Sequence, residues 1–296
     1  MSFSELLGQH FIHTALLAGV VIAVVSGAVG FFVVVRGMSF AVHAVSELGF
    51  TGAAAALVLG ANPITGLLVG SLAVGAILGV LTVGGRERDA AIGSFLAFGL
   101  GVGVFLLSMY KGYATQATSL LFGSIVGVSD AQLELLVIVA IVVLVSLCLM
   151  YRPLLFASVD PEGAEARGVS LRLVSVLLLL LVALTTAEAI QVVGVLLVLT
   201  LVITPAAAAT RLTARPALAL LMSIGIALIA TEGGILLSLL KPYPTSSFIS
   251  GISFTIYVAA RIGGRASGGR RWGKSVRASR SGVRPRCNEG FPSANA

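Results

Sequence analysis

Nine apolar stretches run through this chain, each close to the ~20 residues a helix needs to cross a bilayer. They lie at about 11–35, 40–60, 63–83, 92–110, 131–150, 171–187, 189–209, 217–240 and 245–261. Hydrocarbon offers no partner to a bare backbone amide, so such stretches must close their hydrogen bonds within helices. Only 10% of the 296 residues are charged and 57% are apolar, against about 25% charged in a soluble domain. A water-soluble core is excluded. The expected fold is all-α, a polytopic transmembrane helical bundle of about 8–9 spans. The first stretch reads as a retained helix, not a cleaved leader, because no basic segment precedes it.

Two places in this pattern are ambiguous. The sixth and seventh stretches are divided only by Glu188. Residues 112–129 are too polar and glycine-rich for a lipid-facing span, so a re-entrant or surface segment packed on protein is expected there. Glycines recur inside the spans, as at Gly66, Gly70, Gly75 and Gly79. Small residues at that spacing let helix backbones approach closely.

Charge assigns the sides. Arg36, Arg86, Arg88, Arg152, Arg167, Arg172, Arg211 and Arg215 fall in alternate connections, and the other connections carry Lys111 and Lys241. The arginine-rich side is cytoplasmic by the positive-inside rule. Nine crossings then place the N-terminus outside, unless 112–129 also crosses. The net charge of +7 belongs to the end of the chain, where nine Arg/Lys and Glu289 follow from Arg261 onward. Two domains are expected, a transmembrane domain at 1–262 and a basic, disordered cytoplasmic tail at 263–296. The tail has Trp272 and Phe291 and little else to stack on bases, so no nucleic-acid partner is expected.

One pair of residues stands out chemically. Glu47 lies in the middle of the second stretch, with His43 four residues before it. That spacing puts both side chains on one helical face. A carboxylate at such depth costs about 2.5–3.5 kcal/mol on insertion scales, so it normally faces a cavity and a partner. Two readings follow: a mutually bonded pair that serves packing, or the lining of a metal or proton path. An imidazole with a carboxylate suits zinc or manganese better than calcium. Ser39 and Ser46 flank the pair and offer further oxygens. Glu188 and Glu232 are placed near outer helix ends, within reach of water, and His10 and His13 near the outer mouth of the first span. Cys148 and Cys287 lie in unlike settings and suggest neither a disulfide nor a thiolate site.

The polar stretch 151–172 is expected to be a cytoplasmic loop carrying one short helix. Asp160 caps it, Pro161 takes its first position, Glu162 follows, Ala164 and Ala166 continue it and Gly168 ends it. A short helix held there suits docking of a soluble partner. Gly268, Gly273, Lys274 and Ser275 match the phosphate-cradling pattern of NTPases. That loop works only between a buried strand and a helix, and neither is expected in the tail, so the match is rejected. If ATP drives this protein, another chain binds it. No catalytic constellation is present in the sequence, and no enzymatic activity is expected.

Four segments together resemble the permeases of the zinc/manganese/iron class of ABC importers, over nearly the whole chain up to about Arg261. They are Arg36-Gly37-Met38-Ser39-Phe40 with the His43/Glu47 helix, Gly123-Ser124-Ile125 through Ser129, Asp160 through Gly168, and Gly194-Val195-Leu196-Leu197 with Pro205 through Ala209. Family members usually carry Asp and then His four residues on; here the order is His43, then Glu47. Pro244-Thr245-Ser246-Ser247 stands where the family often has Pro-x-Gly-Ala. The resemblance implies a type II importer fold, two permease copies around a central path, and cytoplasmic ABC ATPases docked on residues 156–169. It also implies a metal-binding lipoprotein or periplasmic binding protein and a location in the cell's inner membrane. No cofactor would be permanently bound. The cargo would be zinc first, then manganese or iron, held in transit by His43 and Glu47. A proton-coupled secondary transporter and a permease for chelated iron are the competing expectations.

Overall fold

The structure is a computed structural model, and it describes residues 10–81, 88–110, 123, 128–195, 197–240 and 244–263. Ten helices are described: α1 (His10–Arg36), α2 (Ser39–Val58), α3 (Pro63–Leu81), α4 (Arg88–Met109), α5 (Asp130–Val159), α6 (Pro161–Ala166), α7 (Leu171–Val193), α8 (Val198–Leu212), α9 (Pro216–Leu240) and α10 (Thr245–Gly263). Among the described residues there is no strand. Every helix except the six-residue α6 falls on one of the nine apolar stretches. Seven of them, α1–α5, α7 and α9, are both long and apolar enough to span a membrane. At 15 residues α8 covers only about 22 Å of a hydrocarbon core near 30 Å.

The helices sort into two shells. Most of α1, α2 and α7 is enclosed by other helices, while most of α3, α4 and α5 is not. The outer faces carry Phe98, Phe105, Ile138 and Leu149. In lipid these faces sit in their proper solvent, so exposure of large apolar side chains is no defect here. The interior forms two main clusters. One gathers Phe31, Phe32, Val33, Met38, Ala164, Val174 and Leu178. The other gathers Ala18, Ile22, Phe50, Ile190, Val193 and Leu201.

Without a hydrophobic force between helices in lipid, close packing has to hold them together. Glycine seams supply it. A Cβ added at Gly52 of α2 would lie 2.9 Å from the Cα of Gly70 in α3, so those two backbones are in direct contact. Gly75 of α3 sits against the Leu179 carbonyl and Ala183 of α7, and Gly27 of α1 against Ile224 of α9. Ser223 reinforces the last seam by donating to the Gly27 carbonyl at 2.7 Å. These contacts pair α2 with α3, α3 with α7 and α1 with α9 in antiparallel sense, as alternate crossings require.

Two boundaries differ from the sequence reading. The break expected at Glu188 is not there; α7 runs on to Val193 and ends at Gly194, whose φ of 86° stops the helix. An acid inside an apolar run reads as a helix end, but here it is carried inside the bundle. The stretch 151–172 is also not a loop throughout, because α5 continues to Val159 with Pro153 inside it. The tail and the rejected phosphate-loop match (Gly268, Gly273, Lys274, Ser275) lie outside the described residues, as does most of 112–129.

Gly52→Val forces a branched side chain into the α2–α3 seam. It should destabilise the detergent-solubilised protein by about 1–3 kcal/mol, the usual range for overpacking. Gly101→Ala, where an added Cβ meets nothing within 4 Å, should leave thermal unfolding unchanged. Equal behaviour of the two variants would contradict the seam.

Candidate functional site

The α1–α2 corner sets where α2 begins. Gly37, at φ 65°, ends α1. Its amide bonds the Val34 carbonyl at 3.1 Å, and the Met38 amide bonds the Val33 carbonyl at 2.9 Å. This is the paired closure of a glycine-terminated helix, with Met38 and Val33 both buried as its apolar contact. Helix α2 then starts at Ser39, which puts Glu47 near its middle and His43 one turn closer to the arginine-rich end.

The structure brings His43 and Glu47 together. His43 Nε2 lies 3.7 Å from Glu47 Oε1, with side-chain exposures of 34% and 15%. The couple is therefore half-enclosed on the surface of one chain's bundle. Among the described residues His43 Nδ1 is buried without a hydrogen-bond partner. The Phe40 ring stands 6.3 Å from the imidazole, centre to centre. Ser46 is fully buried and donates to the His43 carbonyl at 2.9 Å, so its hydroxyl serves the backbone.

Thr51 extends the same face by another turn. Its hydroxyl donates to the Gly99 carbonyl of α4 at 2.8 Å, tying the couple's helix to its neighbour. The sequence reading missed Thr51, although the i+4 spacing from Glu47 was there to be seen. Among the described residues no group of three or more His, Cys, Asp or Glu side chains gathers as a metal site. One chain thus offers a single nitrogen and one carboxylate, half of a four-ligand set.

Helix α6 lies apart from this couple. Asp160 caps it, accepting from the Gly163 amide at 3.0 Å, and Pro161 occupies its first turn with Glu162. Gly168, at φ 82°, ends it. The Gly168 amide bonds the Glu165 carbonyl and the Val169 amide bonds the Ala164 carbonyl, both at 3.0 Å. Ala164 is fully buried and anchors the helix, while Asp160, Pro161, Glu162, Ala166 and Gly168 are exposed. A rigid, capped helix with one buried residue and an open outer face is suited to bind another protein.

Glu188 and Glu232 lie in the outer parts of α7 (Leu171–Val193) and α9 (Pro216–Leu240), but Glu188 is not open to water there. Glu188 is 1% exposed, and among the described residues neither carboxylate oxygen has a hydrogen-bond partner. Water does not reach it. Glu232 is half-buried and stands against Gly19 of α1, where an added Cβ would lie 2.8 Å from its Oε1. His10 and His13 are exposed on the first turn of α1.

Comparison with known proteins joins these features. The ABC 3 transport family matches residues 8–263. Manganese transport system membrane protein MntC of Halalkalibacterium halodurans is 29% identical over 87% of this chain and 89% of its own length. Manganese import system permease protein ScaB of Streptococcus parasanguinis is 35% identical over 68% of this chain and 71% of its own. Among solved structures, PsaBC from Streptococcus pneumoniae in complex with Fab superposes with a TM-score of 0.78 at 28% identity. It covers 87% of this chain and 93% of that one. Both of these relatives are named for manganese, whereas the sequence reading placed zinc first.

Removal of the Asp160 cap should loosen α6 without disturbing the bundle. Asp160→Ala is expected to cost about 0.5–2 kcal/mol of local stability, read as faster amide hydrogen exchange at Gly163 and Ala164. Asp160→Asn should keep exchange near the wild-type rate. Unchanged exchange in the alanine variant would show that the cap does not hold this helix.

Proposed function

Because this chain belongs to the ABC 3 transport family, as a multi-pass membrane permease of a metal-ion ABC importer, we propose that its cargo is manganese and that His43 and Glu47 hold the ion in transit. The observation that carries this reading is the half-enclosed imidazole–carboxylate couple near the middle of α2. Two copies related by a twofold axis would bring two nitrogens and two carboxylates to one ion. Such a mixed set suits a borderline divalent cation. It also suits zinc, which favours four ligands of this kind; zinc is the second reading, and the couple's imidazoles favour it.

Transport needs weak holding. A site that bound its ion with a full cage would not release it. One couple from each copy supplies ligands only while the two α2 helices face each other across the path, so separating them would dismantle the site. ATP binding and hydrolysis belong to a cytoplasmic ABC ATPase seated on the exposed face of α6, and this chain itself has no catalytic role. A metal-binding lipoprotein or periplasmic binding protein would deliver the ion at the opposite face. The arrangement is alternating access, with ATP-driven movement at α6 changing which side the couple faces.

Replacing both ligands tests the reading. His43→Ala with Glu47→Ala should abolish manganese accumulation in cells or proteoliposomes, while the ATPase subunit still co-purifies. Undiminished uptake would remove the couple from the path. Uptake of zinc but not manganese by the wild-type protein would reverse the order of the two metals.

A further inference from the structure

We propose that Arg36 is a positioning residue, a strut that passes movement of the docking helix α6 to the helix bearing His43 and Glu47. The proposal rests on the functional reading above, because it needs α6 to be driven by an ATPase. It is carried by one long-range contact: Arg36 Nη2 donates to Ser175 Oγ at 2.8 Å, joining residues 139 apart in the chain.

On one side of this contact, α6 and the start of α7 form a single body. The Val169 amide closes back on Ala164 at 3.0 Å. Ser170 then caps α7, accepting from the Leu173 amide at 3.3 Å. Ser175 lies in the second turn after that cap. Only Arg167, Gly168 and Val169 lie between α6 and the Ser170 cap, and two backbone bonds tie that turn back to α6, so displacement of α6 reaches Ser175 through a short closed link.

On the other side, Arg36 is the last residue of α1 and the first of the tight corner that launches α2. The two closing amide bonds at Gly37 and Met38 leave that corner little play. Met38 and Val33 are seated in the same apolar cluster as Ala164 and Val174, so the two corners share one packed core. His43 follows the corner by four helical positions after Ser39, and Glu47 by eight. A pull at Arg36 therefore tilts the helix on which the couple stands.

The residue types fit the task. A guanidinium donating to a hydroxyl makes a charge-assisted bond, stronger than a neutral one. Ser175 and Arg36 are both partly buried, so the contact is shielded from full solvation. An arginine that merely anchored α1 among lipid headgroups would need no partner on α7, and that difference makes the proposal testable.

The experiment uses the assembled permease–ATPase complex in proteoliposomes, loaded with manganese and ATP. Ser175→Ala keeps the Arg36 charge at the membrane boundary and removes only the acceptor; Arg36→Ala removes the donor. Each is expected to lower manganese transported per ATP hydrolysed by roughly 2- to 30-fold, the range for residues along a coupling route. ATP hydrolysis should continue. The double variant should be no worse than the more affected single, since both remove the Arg36–Ser175 bond. Ser175→Ala transporting with wild-type yield per ATP, or full additivity in the double, would overturn the strut. A wild-type complex that hydrolyses ATP and moves no metal would instead overturn the functional reading, and the strut with it.

Discussion

A carboxylate and an imidazole near the middle of a bilayer-length helix are costly to keep, and the bundle is arranged around that constraint. Hydrocarbon neither solvates charge nor satisfies backbone amides. The couple at His43 and Glu47 is therefore turned neither to lipid throughout nor fully inward. It is half-enclosed on a helix that other helices clasp closely. The clasp is made of backbone contacts. Gly52 against Gly70 brings α3 onto one flank of α2, and Thr51 bonded to Gly99 brings α4 onto another. With these flanks filled, the couple keeps only partial exposure, 34% at His43 and 15% at Glu47.

The same constraint explains the two shells. Helices with continuous apolar surface, α4 and α5 above all, can stand outside because lipid is as apolar as their side chains. The enclosed helices keep polar groups away from lipid: Ser26 on α1, Ser46 on α2, Thr185, Thr186 and Glu188 on α7 are all buried. Glycine-closed corners at Gly37 and Gly168 then let the chain reverse at the arginine-rich side without spending a long loop. Those two corners bring α6 and the couple's helix into one packed core, although the chain separates them by more than a hundred residues.

Much of this was legible in the sequence. Each long helix lies on an apolar stretch, and the i, i+4 spacing of His43 and Glu47 by itself places them on one face. The cap and stop of α6 were readable from Asp160, Pro161 and Gly168, since these residues act locally. What was not legible depends on contacts between distant segments. Glu188 looked like a helix end because acids usually mark one; its burial depends on helices packed around α7, which no local pattern records. The extension of α5 past Pro153 was hidden by polar residues that sit comfortably at a membrane boundary. Thr51 was missed through its ordinariness, and the Arg36–Ser175 bond cannot be inferred from spacing at all. On the reading proposed above the metal site is shared between two copies, so its full ligand set is not written in the local pattern of one α2.

The central claim is that the couple on α2 touches the ion as it passes. Pulsed electron paramagnetic resonance of manganese trapped in the assembled complex tests it most directly. Nitrogen coupling from a coordinated imidazole is expected, lost on His43→Gln while Glu47 is kept. A manganese signal with no nitrogen coupling, or one that His43→Gln leaves intact, would contradict it.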